Sequence, residues 1–485
     1  MDAHKCSRFI EACWRMARFD VERSWACSGS RRSEFASTSA PIAAHERLLF
    51  MRALHVPDQG TPPVIEDLES LHACIADLQK GSGPIAIDAE RASGFRYSAR
   101  AYLIQIFRRG SGIHLIDPIA INSLDGGPNV VATLNKCMED EEIIIHASTQ
   151  DLPCLREFGI HPQHLFDTEL GARIAGCARV GLGSLCENLL EIALAKEHSA
   201  VDWSIRPLQQ EWLDYAALDV AVLIDLRDKV AELLEAQGKL MWAMQDFASI
   251  LESKASAPRK EPWRRTSGMH QIKSRYQMAI VRELWTERDR VASQIDLAPG
   301  RLLSDSVISA MAQSRLKSVA ELMKLPEAKA RIRNEVQKSH VDLWFDVYLR
   351  ASALPESEWP QLRSKSDSLP PVKIWRAKYP LAYARIMHAR IRLNEIATTH
   401  SIPLENLLTP EIARKITFDN GAEKSYEFSQ SLIAKVETQL RLNGAREWQI
   451  EKTAYALAQS LCETEAPPAP QPAEEPENGE NPPSE

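Results

Sequence analysis

Three short β-rich runs, IAIDAE (85–90), AYLIQIF (101–107) and GIHLID (112–117), constrain the fold of this chain more than any other feature. Turn chemistry separates them (ASG in the first gap, RRGSG in the second), and spacing this close favours antiparallel pairing. Alternation follows: a helix-like stretch (VVATLNKCMEDE), an apolar strand (IIIHA, 143–147), a helix opening near Asp151 and a short run at LFDT. A long helical pattern from Gln209 to about Glu235 closes the unit. Antiparallel strands succeeded by alternating helices and strands predict an α/β domain with a mixed sheet over residues 62–240.

At 485 residues the chain is too long for one core. Beyond a polar linker near 252–262 it turns all-helical and repeats itself. A shift of 105 residues lays Ala292–Val307 over Ala397–Ile412 without a gap, pairing Leu302-Leu303 with Leu407-Leu408. Two copies of one helical module are therefore expected, at 263–350 and 370–462. Residues 1–61 read as a flexible N-terminal extension, with too many acids for a targeting peptide. The tail 463–485 has seven Pro and seven Glu and reads as disordered. Those seven Glu account for all but one of the chain's eight net negative charges. Residues 254–290 hold ten Lys/Arg against four acids, and residues 368–394 hold six against none. Such clusters suit phosphate contacts, although solvated helix faces would look the same. Nine cysteines without a CxxC pair fit reduced thiols in a cytoplasm. No apolar run approaches the ~20 residues of a membrane helix.

Asp88 and Glu90 stand at i and i+2 in the first strand, so their carboxylates leave one face of the sheet. Two such groups repel and each resists desolvation; a divalent cation removes both penalties. Solvated acids at a strand end are the alternative. Asp151 follows an apolar strand and a polar turn, where a helix N-cap competes with a functional role. Tyr215 and Asp219 lie at i and i+4 and share a helix face, as an ordinary amphipathic helix would also have it. His146 reads as a hydrogen-bonded core residue.

The order of these motifs, IDAE (87–90), HASTQDL (146–152) and YAALD (215–219), resembles the catalytic domain of the RNase D family, the DEDDy 3′→5′ exonucleases. The likeness extends through SAVDWSIRPLQQEWLDYAALDV and PWRRTSGM (262–269) into the helical repeat, which resembles an HRDC domain followed by a diverged second copy. The resemblance implies an RNase H-like fold with catalytic residues Asp88, Glu90, Asp151, Tyr215 and Asp219. The four carboxylates would hold two divalent metal ions, Mg²⁺ or Mn²⁺, and Tyr215 would orient a water. It also implies RNA as partner, with DNA the alternative, and no membrane or obligate protein partner. A non-catalytic RNA-binding scaffold is the other reading, against which the presence of all five residues argues. Ala89 departs from the Thr common at that position; its side chain should face away from the metals. Arg96, Tyr97, Arg100 and Tyr102 are candidate contacts to the 3′-terminal nucleotides, and Lys273, Arg275 and Arg282 to phosphates farther along.

Overall fold

Strand pairing begins near the N-terminal side with Arg52–Leu54 (β1) and Val64–Ile65 (β2), then Ser82–Arg91 (β3), Ala101–Arg109 (β4) and Gly112–Ile116 (β5). Glu142–Ile145 (β6), His164–Asp167 (β7) and Ile192–Leu194 (β8) complete the set. These come from a computed structural model that describes residues 51–195, 200–253, 259–362, 369–419, 422 and 424–467; residues 1–50 and the tail from 468 lie outside the described residues. The main sheet has the order β2-β5-β4-β3-β6-β7, while β1 and β8 form a separate parallel pair. As the short connections predict, β3–β4 and β4–β5 are antiparallel. β6 then joins β3 in parallel, and β7 joins β6 the same way. β3 is thus flanked on both sides, which fixes its register firmly.

The helices around this sheet follow from patterning and caps. Leu68–Lys80 (α1) opens on Asp67, whose carboxylate accepts from the Ser70 N–H at 2.8 Å, and it buries Leu71, Cys74, Ile75 and Leu78 along one stripe. Gly127–Cys137 (α2) packs beside it, and Leu152–Phe158 (α3) follows the strand β6. The long helical pattern splits at Val222 into Gln210–Ala221 (α4), which lies against β3, β4 and β5, and Leu223–Ala236 (α5). No Gly or Pro marks that break. Leu240–Glu252 (α6) carries Phe247 into the same core, its ring 5.0 Å from Phe166. The first core therefore runs past residue 240, where the sequence suggested an end.

Two further apolar cores serve the helical half, one spanning Trp263 to Ala351 and the other Trp375 to Leu461. Arg275–Gln294 (α7), opened by a Ser274/Gln277 capping box, Asp305–Gln313 (α8) and Val341–Ser352 (α9) frame the first. Pro380–Thr399 (α10), Pro410–Asp419 (α11), Gln430–Leu442 (α12) and Glu447–Leu461 (α13) frame the second. The repeat is structural as well as sequential. α7 and α10 are each 20 residues long and offset by 105, as are the short helices Pro299–Leu302 and Leu404–Leu407. Even the left-handed corner recurs: Asp296 and Ser401, again 105 apart, both have φ of 49°.

The Ser401 corner abuts the sheet domain at Gly176, where φ is 84° and an added Cβ would lie 2.3 Å from the Ser401 carbonyl oxygen. Gly176→Ala should therefore cost about 2 kcal/mol or more by combining left-handed strain with a backbone clash. Urea unfolding checks this; an unchanged midpoint would mean that the two domains do not meet there in solution.

Candidate active site

The β3 register places Asp88 opposite Gln105 and Glu90 opposite Leu103 on β4, so both carboxylates rise from one sheet face. α4 crosses that face. Its Ala216 and Ala217 are wholly buried, and their small side chains let the helix backbone approach closely enough to bring in Asp219. Carboxylate oxygens of Asp88, Glu90 and Asp219 lie within 4.8 Å of one another. One turn earlier on α4, the Tyr215 hydroxyl is hydrogen-bonded to Asp219.

Asp151 arrives by a different route. After β6 the chain turns sharply through Ala147 in the left-handed region, φ 57°. Buried Asp167, at the end of β7, accepts from the backbone of Ala147 (3.2 Å) and Ser148 (2.8 Å), the Ser148 hydroxyl (2.7 Å) and Leu170 N–H (3.0 Å). This turn fixes where α3 begins. Asp151 occupies the N-cap position of α3, yet its carboxylate makes no capping bond; it pairs instead with Arg91 Nε at 3.4 Å. A cavity of about 390 Å³ gathers all five residues together with Arg91, His146 and Gln150. Its size suits a nucleotide-scale ligand.

Like charges in a low-dielectric cavity dominate the electrostatics. Burial raises Asp88 to about 6 against an ordinary 3.8, partly offset by the Ala89 N–H and Arg91. Burial and the neighbouring Asp88 push Asp151 to about 8 despite Arg91. Glu90 is raised well above its usual value by burial, then by Asp88, Asp219 and Asp151. Asp219 is raised likewise by burial and Asp88. Burial, with Asp219, Glu90 and Asp88 alongside, drives the Tyr215 phenol above its ordinary range. Carboxylates pressed together this way offer hard oxygen ligands with an unmet demand for positive charge, so the donor set fits a divalent cation such as Mg²⁺ or Mn²⁺.

Residues 62–235 match the family model described as a 3′-5′ exonuclease, 277–335 match an HRDC domain, and 368–461 match a 3′ to 5′ exonuclease C-terminal domain. Ribonuclease D from Shewanella sp. (strain ANA-3) is 27% identical over 374 residues, covering 74% of this chain and 89% of that protein. The chain belongs to the ribonuclease D family. Its enzyme class is accordingly that of a 3′-5′ exoribonuclease, a hydrolase. A crystal structure of a protein from Bifidobacterium adolescentis shares 33% identity with a TM-score of 0.75, covering 85% of this chain and 99% of its own. The crystal structure of Escherichia coli RNase D, an exoribonuclease involved in structured RNA processing, has a TM-score of 0.57 at 24% identity and has the same fold, covering 82% of this chain and 98% of its own.

The peripheral residues expected to meet nucleic acid have other occupations in the fold. Arg96 Nε donates to Ser204 Oγ (2.8 Å), and the Tyr97 hydroxyl donates to Asp289 at 3.1 Å. Arg100 and the Tyr102 hydroxyl both donate to Asp296 Oδ2, at 3.0 and 3.4 Å, while Ser98 N–H donates to Oδ1 of the same residue (2.9 Å). This loop is thereby docked on the HRDC domain. Arg275 donates to the Trp359 and Pro360 carbonyls and Arg282 to the Glu358 carbonyl, tying down the segment that closes that domain. The Lys273 ammonium donates to the nearby His270 carbonyl. For Arg100, Arg275 and Arg282 a backbone or carboxylate acceptor far along the chain captures the cation, which local sequence does not reveal. His146 is hydrogen-bonded to Thr168 at 2.9 Å. Three site residues went unnoticed in the sequence: Asp167, Arg91, and the wholly buried Gln105. The last stands opposite Asp88 with neither amide atom hydrogen-bonded among the described residues.

Raised carboxylate pKa values make the metal-free fold pH-sensitive. The unfolded chain releases these protons near the ordinary value of 3.8, whereas folded Asp88 and Asp151 hold theirs to about 6 and about 8. The folded state thus binds more protons across this window, so stability should fall as pH climbs from about 4 through about 8. Asp88→Asn should make the metal-free protein about 1–3 kcal/mol more stable at pH 8 and flatten the profile. Thermal unfolding in EDTA across pH tests both; a profile that rises with pH would contradict the electrostatic account.

Proposed function

We propose that the chain hydrolyses RNA from its 3′ end, releasing nucleoside 5′-monophosphates in a reaction dependent on two divalent ions, Mg²⁺ or Mn²⁺. The observation that carries this is the convergence of the Asp88, Glu90 and Asp219 oxygens within 4.8 Å inside a cavity that also holds Asp151 and Tyr215. Asp88 would be shared by the two ions, with Glu90 and Asp219 completing one site and Asp151 serving the second. When bound, such ions activate a water and stabilise the departing oxygen of an in-line displacement. The oxygen of water joins phosphorus while the bond from phosphorus to the 3′-oxygen of the penultimate residue breaks. The shortened chain keeps a 3′-hydroxyl and the released nucleotide a 5′-phosphate.

Tyr215 orients that water rather than deprotonating it. Its phenol is driven away from ionisation by burial and by the acids around it, so it remains a donor and acceptor of fixed direction. The relatives named Ribonuclease D, and the part the Escherichia coli enzyme takes in structured RNA processing, support RNA 3′ ends, such as those of tRNA precursors, as substrate. The HRDC domain and its repeat would hold the body of that RNA through phosphate contacts. Among the described residues six cysteines are free and no helix is long and apolar enough to cross a membrane; free thiols suit the reducing cytoplasm as its place of work.

Matched 3′-labelled RNA and DNA, incubated with and without Mn²⁺, test the reading. Mononucleotide release from RNA should require the metal, with DNA degraded at least tenfold more slowly. Asp88→Asn and Asp219→Asn should each lower the rate by a factor of 10³ or more, a loss of about 4 kcal/mol of transition-state stabilisation, while circular dichroism stays native. Full activity in EDTA or in either variant would overturn the mechanism, and equal rates on DNA would overturn the substrate class.

A further inference from the structure

We infer that Arg91 is an exchangeable partner in the active site, holding Asp151 in the metal-free protein and turning to the scissile phosphate of the substrate when Asp151 engages metal. The inference rests on the metal-dependent reading of the site given above.

Strict alternation along β3 would send Arg91 to the face opposite Glu90. The β3–β4 register slips at this point: Glu90 pairs with Leu103 but Arg91 pairs with Ala101, leaving Tyr102 as an extra residue. Irregularities of this kind break alternation and re-aim side chains beside active sites. Here the guanidinium ends in the carboxylate cavity, within 3.4 Å of Asp151 Oδ1. That single ion pair is long, and Arg91 makes no hydrogen bond among the described residues, so most of its N–H fork is uncommitted. A side chain serving only to brace the fold would be expected to use more of it, as Arg206 does with Asp117 and the Trp203 and Tyr102 carbonyls.

Two further observations make the pairing look temporary. Asp151 lines the same cavity as the other acids but stands apart from the three whose oxygens lie within 4.8 Å of one another. Arg91 is what it touches instead. A phosphodiester entering this cavity brings negative charge toward four carboxylates. Among the described lining residues Arg91 is the sole Lys or Arg, because Arg96 and Arg100 are bound to Ser204 and Asp296. A guanidinium with a free fork beside a phosphate site matches phosphate geometry in two-pronged fashion. The same side chain, partly open to solvent at 28%, has room to move between the two anions.

Calorimetric titration of the metal-free protein with Mn²⁺, followed by titration of the Mn²⁺-saturated protein with AMP, separates the alternatives. Arg91→Gln should tighten the weaker Mn²⁺ site by three- to tenfold, because Asp151 is released, and should weaken AMP binding about tenfold. Arg91→Lys should recover part of the AMP affinity while leaving Mn²⁺ binding near that of the native protein. If the native protein takes up two Mn²⁺ but Arg91→Gln leaves both Mn²⁺ affinities and AMP binding unchanged, or loosens Mn²⁺ binding, the exchange role is wrong and the metal reading stands. A native protein that takes up no Mn²⁺ would overturn the metal reading itself. If Arg91→Gln fails to fold, Arg91→Lys decides: its point charge should weaken AMP binding severalfold, and native-like AMP binding would refute the phosphate contact.

Discussion

Mutual repulsion among carboxylates that the fold holds in one sheltered cavity is the constraint on which the rest of this structure depends. Left to themselves, Asp88, Glu90 and Asp219 would separate into water. Two devices hold these three in place, and a third positions Asp151 beside them. β3 is hydrogen-bonded on both sides, to β4 and to β6, so its two acids cannot swing away with a mobile edge. α4 is pressed onto the sheet through buried Ala216 and Ala217, which bring Asp219 down onto the strand. The turn before α3 is set by Asp167, whose carboxylate gathers three N–H groups and a hydroxyl. The acids are consequently kept protonated beyond their ordinary range, a strain relieved when positive charge enters.

Much of this was legible in the sequence because the decisive relations are local. Asp88 and Glu90 are two residues apart on a strand, and Tyr215 and Asp219 four apart on a helix, so periodicity alone puts each pair on a common face. The three antiparallel strands follow from connections too short for a crossover. What remained hidden depends on partners distant in the chain. Nothing near Arg100 announces Asp296, 196 residues on, and nothing near Ser148 announces Asp167. Arg91 was obscured for another reason: alternation, the rule that located Asp88 and Glu90, assigns it to the wrong face, and only the register slip at Tyr102 corrects the assignment. The division of the long helix at Val222 likewise has no Gly or Pro to signal it.

The loop that links β3 to β4 ties the site to the helical half. Its residues Tyr97, Ser98 and Arg100 engage Asp289 and Asp296, and Arg301 donates to the Gly94 carbonyl at 2.6 Å while lying 3.9 Å over the Phe95 ring. The strand bearing Asp88, Glu90 and Arg91 therefore leads directly into a segment clamped by the HRDC domain. A displacement of that domain would be felt at the exit of β3. The HRDC domain and the geometry of the site are mechanically adjacent through this loop.

The helical repeat gives this attachment a second, parallel form. Asp296 and Ser401 occupy the same left-handed corner of the two copies, 105 residues apart, and both corners face the sheet domain. In the first copy the side chain does the work, with the Asp296 carboxylate receiving the loop of the catalytic strands. In the second the backbone does it: the Ser401 carbonyl presses against Gly176, and neighbouring His400 packs edge-on against Trp242 of α6 at 5.3 Å. Trp242 also stacks on Trp448 of α13, whose indole N–H donates to buried Asp246. One duplicated corner thus serves two unlike patches of a single domain. The two copies share the lengths of their first long helix and the short helix after it, and the 105-residue offset, while their corner residues differ: the module's own packing fixes the backbone there, and each docking patch is met by a different group.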